Sequence, residues 1–254
     1  MTKPSTQYVQ YGSSKTLTIS CAYCSVASAS SSNINAVTVT RSGNELRLRA
    51  VGNASTSATI TVTGTGDTNY NNPTNITFTV IVDKAVASKT APTKKSGLVY
   101  TGNAQQLINA GSSTDGTFYY NTAASETGKT TDASSSSLKA TNAGSYTRYW
   151  KFVADSNHNA SVDWTSISCT IAKADQAAPT FVTGDTTYYP TVAYASATGG
   201  GGHGSLGWTN GYTLNKVGSI ETAAYWTGDS NYKQSPYSKS VTLTVSYYLY
   251  YTHN

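Results

Sequence analysis

The chain repeats itself three times. Lys3-Pro4-Ser5, Ala91-Pro92-Thr93 and Ala178-Pro179-Thr180 open equivalent segments, and the steps from 4 to 92 and from 92 to 179 are 88 and 87 residues. A Tyr-bearing turn follows each opening: Tyr11-Gly12, Tyr100-Thr101-Gly102 and Tyr188-Tyr189-Pro190. Late in each segment a second landmark returns as Gly66-Asp67-Thr68-Asn69-Tyr70, Ala154-Asp155-Ser156-Asn157-His158 and Gly228-Asp229-Ser230-Asn231-Tyr232. Asx and Ser/Thr side chains bond their own backbone in turns, so each copy reads as a turn between two strands. Self-similarity at a fixed period indicates a tandem array of one structural unit.

Each turn is followed by a strand-like run: Ile76 to Val82, Thr165 to Ala172 and Ser238 to Val245. In the last, Val241, Leu243 and Val245 alternate with polar residues, which gives one buried and one wet face. Val37 to Arg41 and Glu45 to Ala50 flank Ser42-Gly43-Asn44, a hairpin signal. Composition agrees, with 20 Tyr against 1 Met and 3 Glu. Aromatic and β-branched residues suit a pleated surface, and helix formers are scarce. A helical bundle, a coiled coil and a doubly wound α/β enzyme are excluded. Short turn-rich spacers between alternating strands predict an all-β chain of three antiparallel β-sandwich domains, 1–85, 86–174 and 175–246, with a Tyr-rich tail, 247–254.

Asn142-Ala143-Gly144-Ser145-Tyr146 resembles the tyrosine corner of immunoglobulin-like domains, in which the Tyr hydroxyl bonds back to upstream backbone. Arg148 stands where antibody domains carry their second Cys, so the usual inter-sheet disulfide is absent, and Gly218-Ser219-Ile220 lacks the corner hydroxyl in the third segment. With Val99-Tyr100-Thr101-Gly102-Asn103-Ala104-Gln105 and Ile171-Ala172-Lys173-Ala174, the chain resembles the bacterial immunoglobulin-like repeats of cell-surface adhesins and bacteriophage virion proteins. Val51-Gly52-Asn53-Ala54 followed by Ala58-Thr59-Ile60-Thr61-Val62 is similar to their group-2 type. The resemblance implies three tandem immunoglobulin-like sandwiches. Its motifs are structural and carry no chemistry.

The chemistry-bearing residues are scattered. His158, His203 and His253 fall in different segments or the tail, and neither a G-x-S-x-G nor an HExxH motif is present. No enzyme activity and no cofactor are expected. Asp67-Thr68-Asn69-Tyr70-Asn71 begins like a calcium loop, but Asn72 and Phe78 stand where the turn Gly and bidentate acid belong, so it reads as a turn. Gly199-Gly200-Gly201-Gly202-His203-Gly204 lacks the Lys-Ser/Thr of a phosphate cradle and reads as a flexible hairpin loop, with His203 as a contact candidate. Of three cysteines, Cys21 and Cys169 continue apolar alternation and read as small buried hydrophobes. Cys21-Ala22-Tyr23-Cys24 is a lone C-x-x-C, unspecific for zinc or redox chemistry. In the tail, Tyr247, Tyr248, Tyr250 and Tyr251 either extend the last strand or form a docking surface for a neighbouring subunit or repeat.

The net charge of +5 is spread without a basic run, so no nucleic-acid partner is expected. No stretch of 18 apolar residues predicts membrane insertion. The N-terminus lacks an apolar signal core, which fits a whole gene product or a segment of a longer exported protein. These readings favour a non-enzymatic structural or adhesive protein on a virion surface: a capsid decoration, head fibre or tail-associated module within a larger homo- or hetero-oligomeric assembly. It would contact other assembly subunits and a cell surface or glycan. The alternatives are the stalk of an exported bacterial cell-surface adhesin and, less supported, an accessory module of a polysaccharide-active enzyme.

Overall fold

A computed structural model describes residues 1–248. The described chain is strands and turns, and its one helical element is a 3-10 turn at Ser136–Leu138. In the first repeat the strands are β1 (Gln7–Gln10), β2 (Ser14–Thr18), β3 (Cys24–Ser31), β4 (Val37–Ser42), β5 (Glu45–Ala50), β6 (Ser57–Gly66) and β7 (Ile76–Asp83). They form two sheets, in the orders β1-β7-β6-β3 and β2-β5-β4. Seven strands divided in this way have the arrangement of an immunoglobulin sandwich, with the third, sixth and seventh strands in one sheet and the second, fourth and fifth in the other. The expected hairpin is present: Gly43 turns with φ of 59° and Ser42 pairs with Glu45.

Alternation places the core. β5 reads exposed-buried throughout, with Leu46, Leu48 and Ala50 inward and Arg47 and Arg49 outward. Ile60 and Val62 on β6 and Phe78, Val80 and Val82 on β7 face them within one buried cluster. Each such side chain contributes about 1.5–3 kcal/mol on burial, enough to close a small two-layer core.

The expectation of purely antiparallel sheets needs one amendment. β1 runs parallel to β7, pairing Gln7 with Val80 and Val9 with Val82. The third repeat does the same, with Thr186–Tyr188 parallel to Val241–Ser246, and in the middle repeat Val99 bridges Ala172 in parallel. In each case the entering chain lies along the last strand, which covers an otherwise open edge.

By contacts the chain divides into two units. One comprises 1–93, 110–133 and 149–166, and the other 94–109, 134–148 and 167–254. The first contains the whole first repeat and the part of the middle repeat in which Gly116–Asn121 pairs with Tyr149–Ala154. Phe118 there packs on Phe152 at 4.9 Å and on Trp150 at 5.7 Å. The buried Tyr120 hydroxyl accepts the Gly111 N–H at 2.9 Å, and burial pushes its pKa up. The second unit contains the third repeat. There Gly218–Thr222 pairs with Val241–Ser246 and Ala224–Trp226 pairs with Leu206–Trp208. Ala223 interrupts this penultimate strand between its two partners.

Two local expectations are corrected. Cys21 is not a buried free thiol: it is bonded to Cys24 across a half-buried turn, with Tyr23 at φ of 56° between them. An odd cysteine count concealed a local pair, and Cys169 is the buried free thiol. The glycine-rich loop is packed rather than loose. Any Cβ on Gly200 would lie 2.3 Å from the Ala178 carbonyl oxygen, and one on Gly204 would lie 2.2 Å from that of Gly228. The buried Gln176 side chain holds the loop, accepting from His203 N–H at 3.0 Å and donating to the His203 and Lys233 carbonyls at 3.1 and 2.8 Å.

Candidate functional site

The recurrent Asp-Ser-Asn turns do more than reverse the chain. In the first unit Asp155 Oδ1 accepts the Asn157 N–H at 2.8 Å and lies 2.7 Å from His158 Nδ1. This Asx turn fixes the Asn157 side chain outward. Its Oδ1 accepts the Ala54 N–H of the preceding repeat at 2.9 Å, and its Nδ2 donates to Asn53 Oδ1 at 3.3 Å. A short parallel ladder follows, pairing His158 with Ala85 and Asn159 with Val86, in which the Ala85 N–H donates to the Asn157 carbonyl at 3.0 Å. Tyr11 meets the His158 ring edge-on at 5.5 Å. The turn of one repeat is thereby seated on the corner of the repeat before it.

The second unit holds the same joint, with Asn142 and Ala143 each 89 residues after Asn53 and Ala54. Asp229 Oδ1 accepts the N–H groups of Asn231 at 2.7 Å and Tyr232 at 2.9 Å. Asn231 Oδ1 accepts the Ala143 N–H at 2.8 Å, and Nδ2 donates to Asn142 Oδ1 at 3.4 Å. Ala174 N–H donates to the Asn231 carbonyl at 2.8 Å, and Tyr100 meets the Tyr232 ring edge-on at 5.4 Å. Lys173 Nζ adds a hydrogen bond to the Asp229 carbonyl.

The corners that receive these turns are braced differently. Thr56 Oγ1 donates to the Asn53 carbonyl at 2.6 Å, whereas the Tyr146 hydroxyl donates to the Asn142 carbonyl at 2.7 Å. The latter is the expected tyrosine corner. Arg148 reinforces it from within: its Nε donates to the Leu138 carbonyl at 2.8 Å and its Nη2 to the Lys139 carbonyl at 3.1 Å. Burial lowers the pKa of this guanidinium and raises that of the Cys169 thiol.

Electrostatics follow the joints. His158 lowers the pKa of Asp155 by its hydrogen bond, and the Asn231 amide is the first cause of the lowered Asp229 value. Asp115 is lowered by the Ser88 amide and the Thr114 hydroxyl. Glu126 is drawn down to about 2, first by Lys129, then by Lys151, with Trp164 also donating. Each perturbed carboxylate is thus accounted for by a structural hydrogen bond.

Of the contact candidates, His203 stacks on Tyr232 at 3.5 Å and so buttresses the second joint. Tyr247 and Tyr248 lie beyond the last strand and are exposed, with Tyr248 edge-on to Tyr188 at 5.1 Å. Tyr247, Tyr189, Lys216 and Val217 line a cavity of about 380 Å³. Tyr250 and Tyr251 lie outside the described residues. Sequence reasoning identified the Asx turns but missed Asn157 and Asn231 as joint residues. The signal was present in the Asn kept at the third turn position in all three copies, and in the Asn-Ala pair shared by 53–54 and 142–143.

No family model matches the chain, and no curated protein matches it. Among solved structures it is similar to protocadherin gamma B2 extracellular cadherin domains 1–5, with 11% identity and a TM-score of 0.27 over 98% of this chain and 60% of that one. It is also similar to protocadherin gamma B7 extracellular cadherin domains 1–4, with 9% identity and a TM-score of 0.25 over 94% and 74%. The chain therefore spans 60% of the length of the first. Likenesses at these TM-scores carry no argument here, and the immunoglobulin-like arrangement rests on this chain's own strand order.

Proposed function

We propose that the chain is a non-enzymatic, surface-displayed module that spaces and presents contact surfaces, and specifically a component of a bacteriophage virion: a capsid decoration, head fibre or tail-associated protein. The observation that carries the reading is the pair of joints. The side chains an enzyme would use as acids and bases, Asp155, Asp229 and His158, are engaged in holding one repeat to the next. Exposed loop and tail aromatics such as Tyr247 would then contact other assembly subunits and a cell surface or glycan, each weakly and with strength from many copies.

The Cys21–Cys24 disulfide supports display in an oxidising setting, since such bonds persist on virion and cell surfaces. It favours the second reading equally, a stalk segment of a bacterial cell-surface adhesin. Antibody raised against the purified chain, applied to purified phage particles and to intact uninfected bacteria, separates the two. Gold label on particles is expected. Label confined to bacterial surfaces would replace the virion reading with the adhesin, and label on neither would overturn display altogether.

A further inference from the structure

The two joints use up only two of the three turns. Asp67-Thr68-Asn69-Tyr70 has the same sequence pattern, and it reverses the chain with the Tyr70 N–H donating to the Asp67 carbonyl at 2.8 Å, as the His158 N–H donates to the Asp155 carbonyl at 3.4 Å in the first joint. Its ring is already placed: Tyr23 stacks on Tyr70 at 4.5 Å and 11°, as His203 stacks on Tyr232 at 3.5 Å and 6° in the occupied joint. Yet Asn69 is exposed, and among the described residues no backbone N–H stands against its carboxamide as Ala54 and Ala143 stand against Asn157 and Asn231.

Among the described residues, no turn is seated on the corresponding corner of the third repeat. Tyr11, Tyr100 and Tyr189 hold equivalent places, because their N–H groups donate to the carbonyls of Asp83, Ala172 and Ser246 at the ends of the three last strands, at 2.8, 2.9 and 2.9 Å. Lys216-Val217 precedes Gly218 as Asn142-Ala143 precedes Gly144, and the two glycines share unusual φ values of 144° and 152°. Tyr189, Lys216, Val217 and the exposed Tyr247 enclose the cavity of about 380 Å³ at this corner.

We propose that the Asp67–Tyr70 turn of one copy of this chain docks on the Tyr189–Lys216–Val217–Tyr247 corner of another. Asn69 Oδ1 accepts the Val217 N–H, Tyr70 meets Tyr189 edge-on, and Lys216 pairs with Asp67. That substitution of Lys for the Asn of the internal corners gives the copy-to-copy joint a charge complementarity the internal joints lack. The contact is heterologous, so it propagates head to tail unless it closes into a ring. Internal joints benefit from the covalent link, which supplies an effective concentration of order millimolar. The joint between separate copies is accordingly weak in dilute solution.

Sedimentation equilibrium on the full chain tests this from about 10 μM to about 1 mM, the range the tether argument sets. The weight-average mass is expected to at least double across that range. Asn69→Ala leaves a dead turn and a live corner, and Lys216→Glu leaves a live turn and a dead corner. Each alone is expected to stay monomeric, and an equimolar mixture is expected to form dimers and stop there. A wild-type chain that remains monomeric at the highest concentration overturns the proposal without reference to any variant. So does growth by either variant alone, or failure of the mixture to dimerise when wild type associates.

Discussion

The two joints share their Asx turn and the backbone it engages, and differ in the groups packed around it. In the first, a histidine ring faces Tyr11 and the Asp155 carboxylate is held chiefly by that histidine. In the second, a tyrosine ring faces Tyr100, His203 supports it from behind, and Asp229 is held chiefly by backbone amides. The receiving corners are braced by a threonine hydroxyl in one case and a tyrosine hydroxyl in the other. What persists is an Asn side chain accepting from one backbone N–H and donating to a second Asn. The Asx turn specifies the joint, and the surrounding rings fill the space it leaves.

Acid should loosen both joints together, the broadest effect expected. Asp155 and Asp229 have folded pKa values below their ordinary value, so their contribution is complete above the unfolded pKa near 4 and disappears as pH falls through the folded values. Glu126 behaves alike over a wider window, from about 4.5 down to about 2. Thermal melting between pH 7 and pH 2 should show a stable plateau that declines below pH 4 to 5. A melting temperature flat to pH 2 would mean these carboxylates are as well satisfied in the unfolded chain.

Removing the shared element comes next. Asn157→Ala and Asn231→Ala each free one half-buried backbone N–H, Ala54 or Ala143, and should cost about 0.5–1.5 kcal/mol locally. Amide hydrogen exchange should rise at Ala54 and Ala85 in the one variant and at Ala143 and Ala174 in the other. Equal protection losses are expected because the bonds are equal. A marked inequality would shift the weight of the joint onto the rings.

The corners sharpen the comparison at smaller scale. Tyr146→Phe deletes the donor to the Asn142 carbonyl and should cost about 1 kcal/mol, close to the loss from Thr56→Val at the first corner. Urea unfolding of each variant against wild type measures both. A much larger cost for Tyr146→Phe would show that Arg148 and the tyrosine act as one network with the Leu138 and Lys139 carbonyls.

The sandwich was readable because its signals are local. Leu46, Leu48 and Ala50 alternate within six residues, and Gly43 and the Asp-Ser-Asn turns mark reversals in place. The tyrosine corner spans four residues from Tyr146 to Asn142, so it too was legible. The joints were not, because their partners lie far apart in the chain: Ala54 and Asn157 are separated by 103 residues, and Ala143 and Asn231 by 88. A turn side chain looks the same in sequence whether it faces water or another repeat. The parallel pairing of β1 with β7 was hidden for the same reason, since strand patterning sets which face is buried and says little about the neighbour. Cys21 reads as continuing the alternation of Leu17 and Ile19, which hides its pairing with Cys24, and the turn that joins them depends on Tyr23 adopting a left-handed conformation.

The smallest effect bears most directly on what distinguishes the two joints. If the rings only fill space, Tyr232→His should make the second joint resemble the first and cost less than about 0.5 kcal/mol, since an aromatic face is kept for Tyr100 and His203. Tyr232→Ala removes both ring contacts and should cost about 0.5–1.5 kcal/mol beyond lost area. Exchange rates at Ala143 and Ala174 report on the joint without requiring global unfolding. They should be near wild type in the histidine variant and raised in the alanine variant. Equal disturbance in both would make the tyrosine itself a specific component, and the two joints would then be separate solutions sharing a turn.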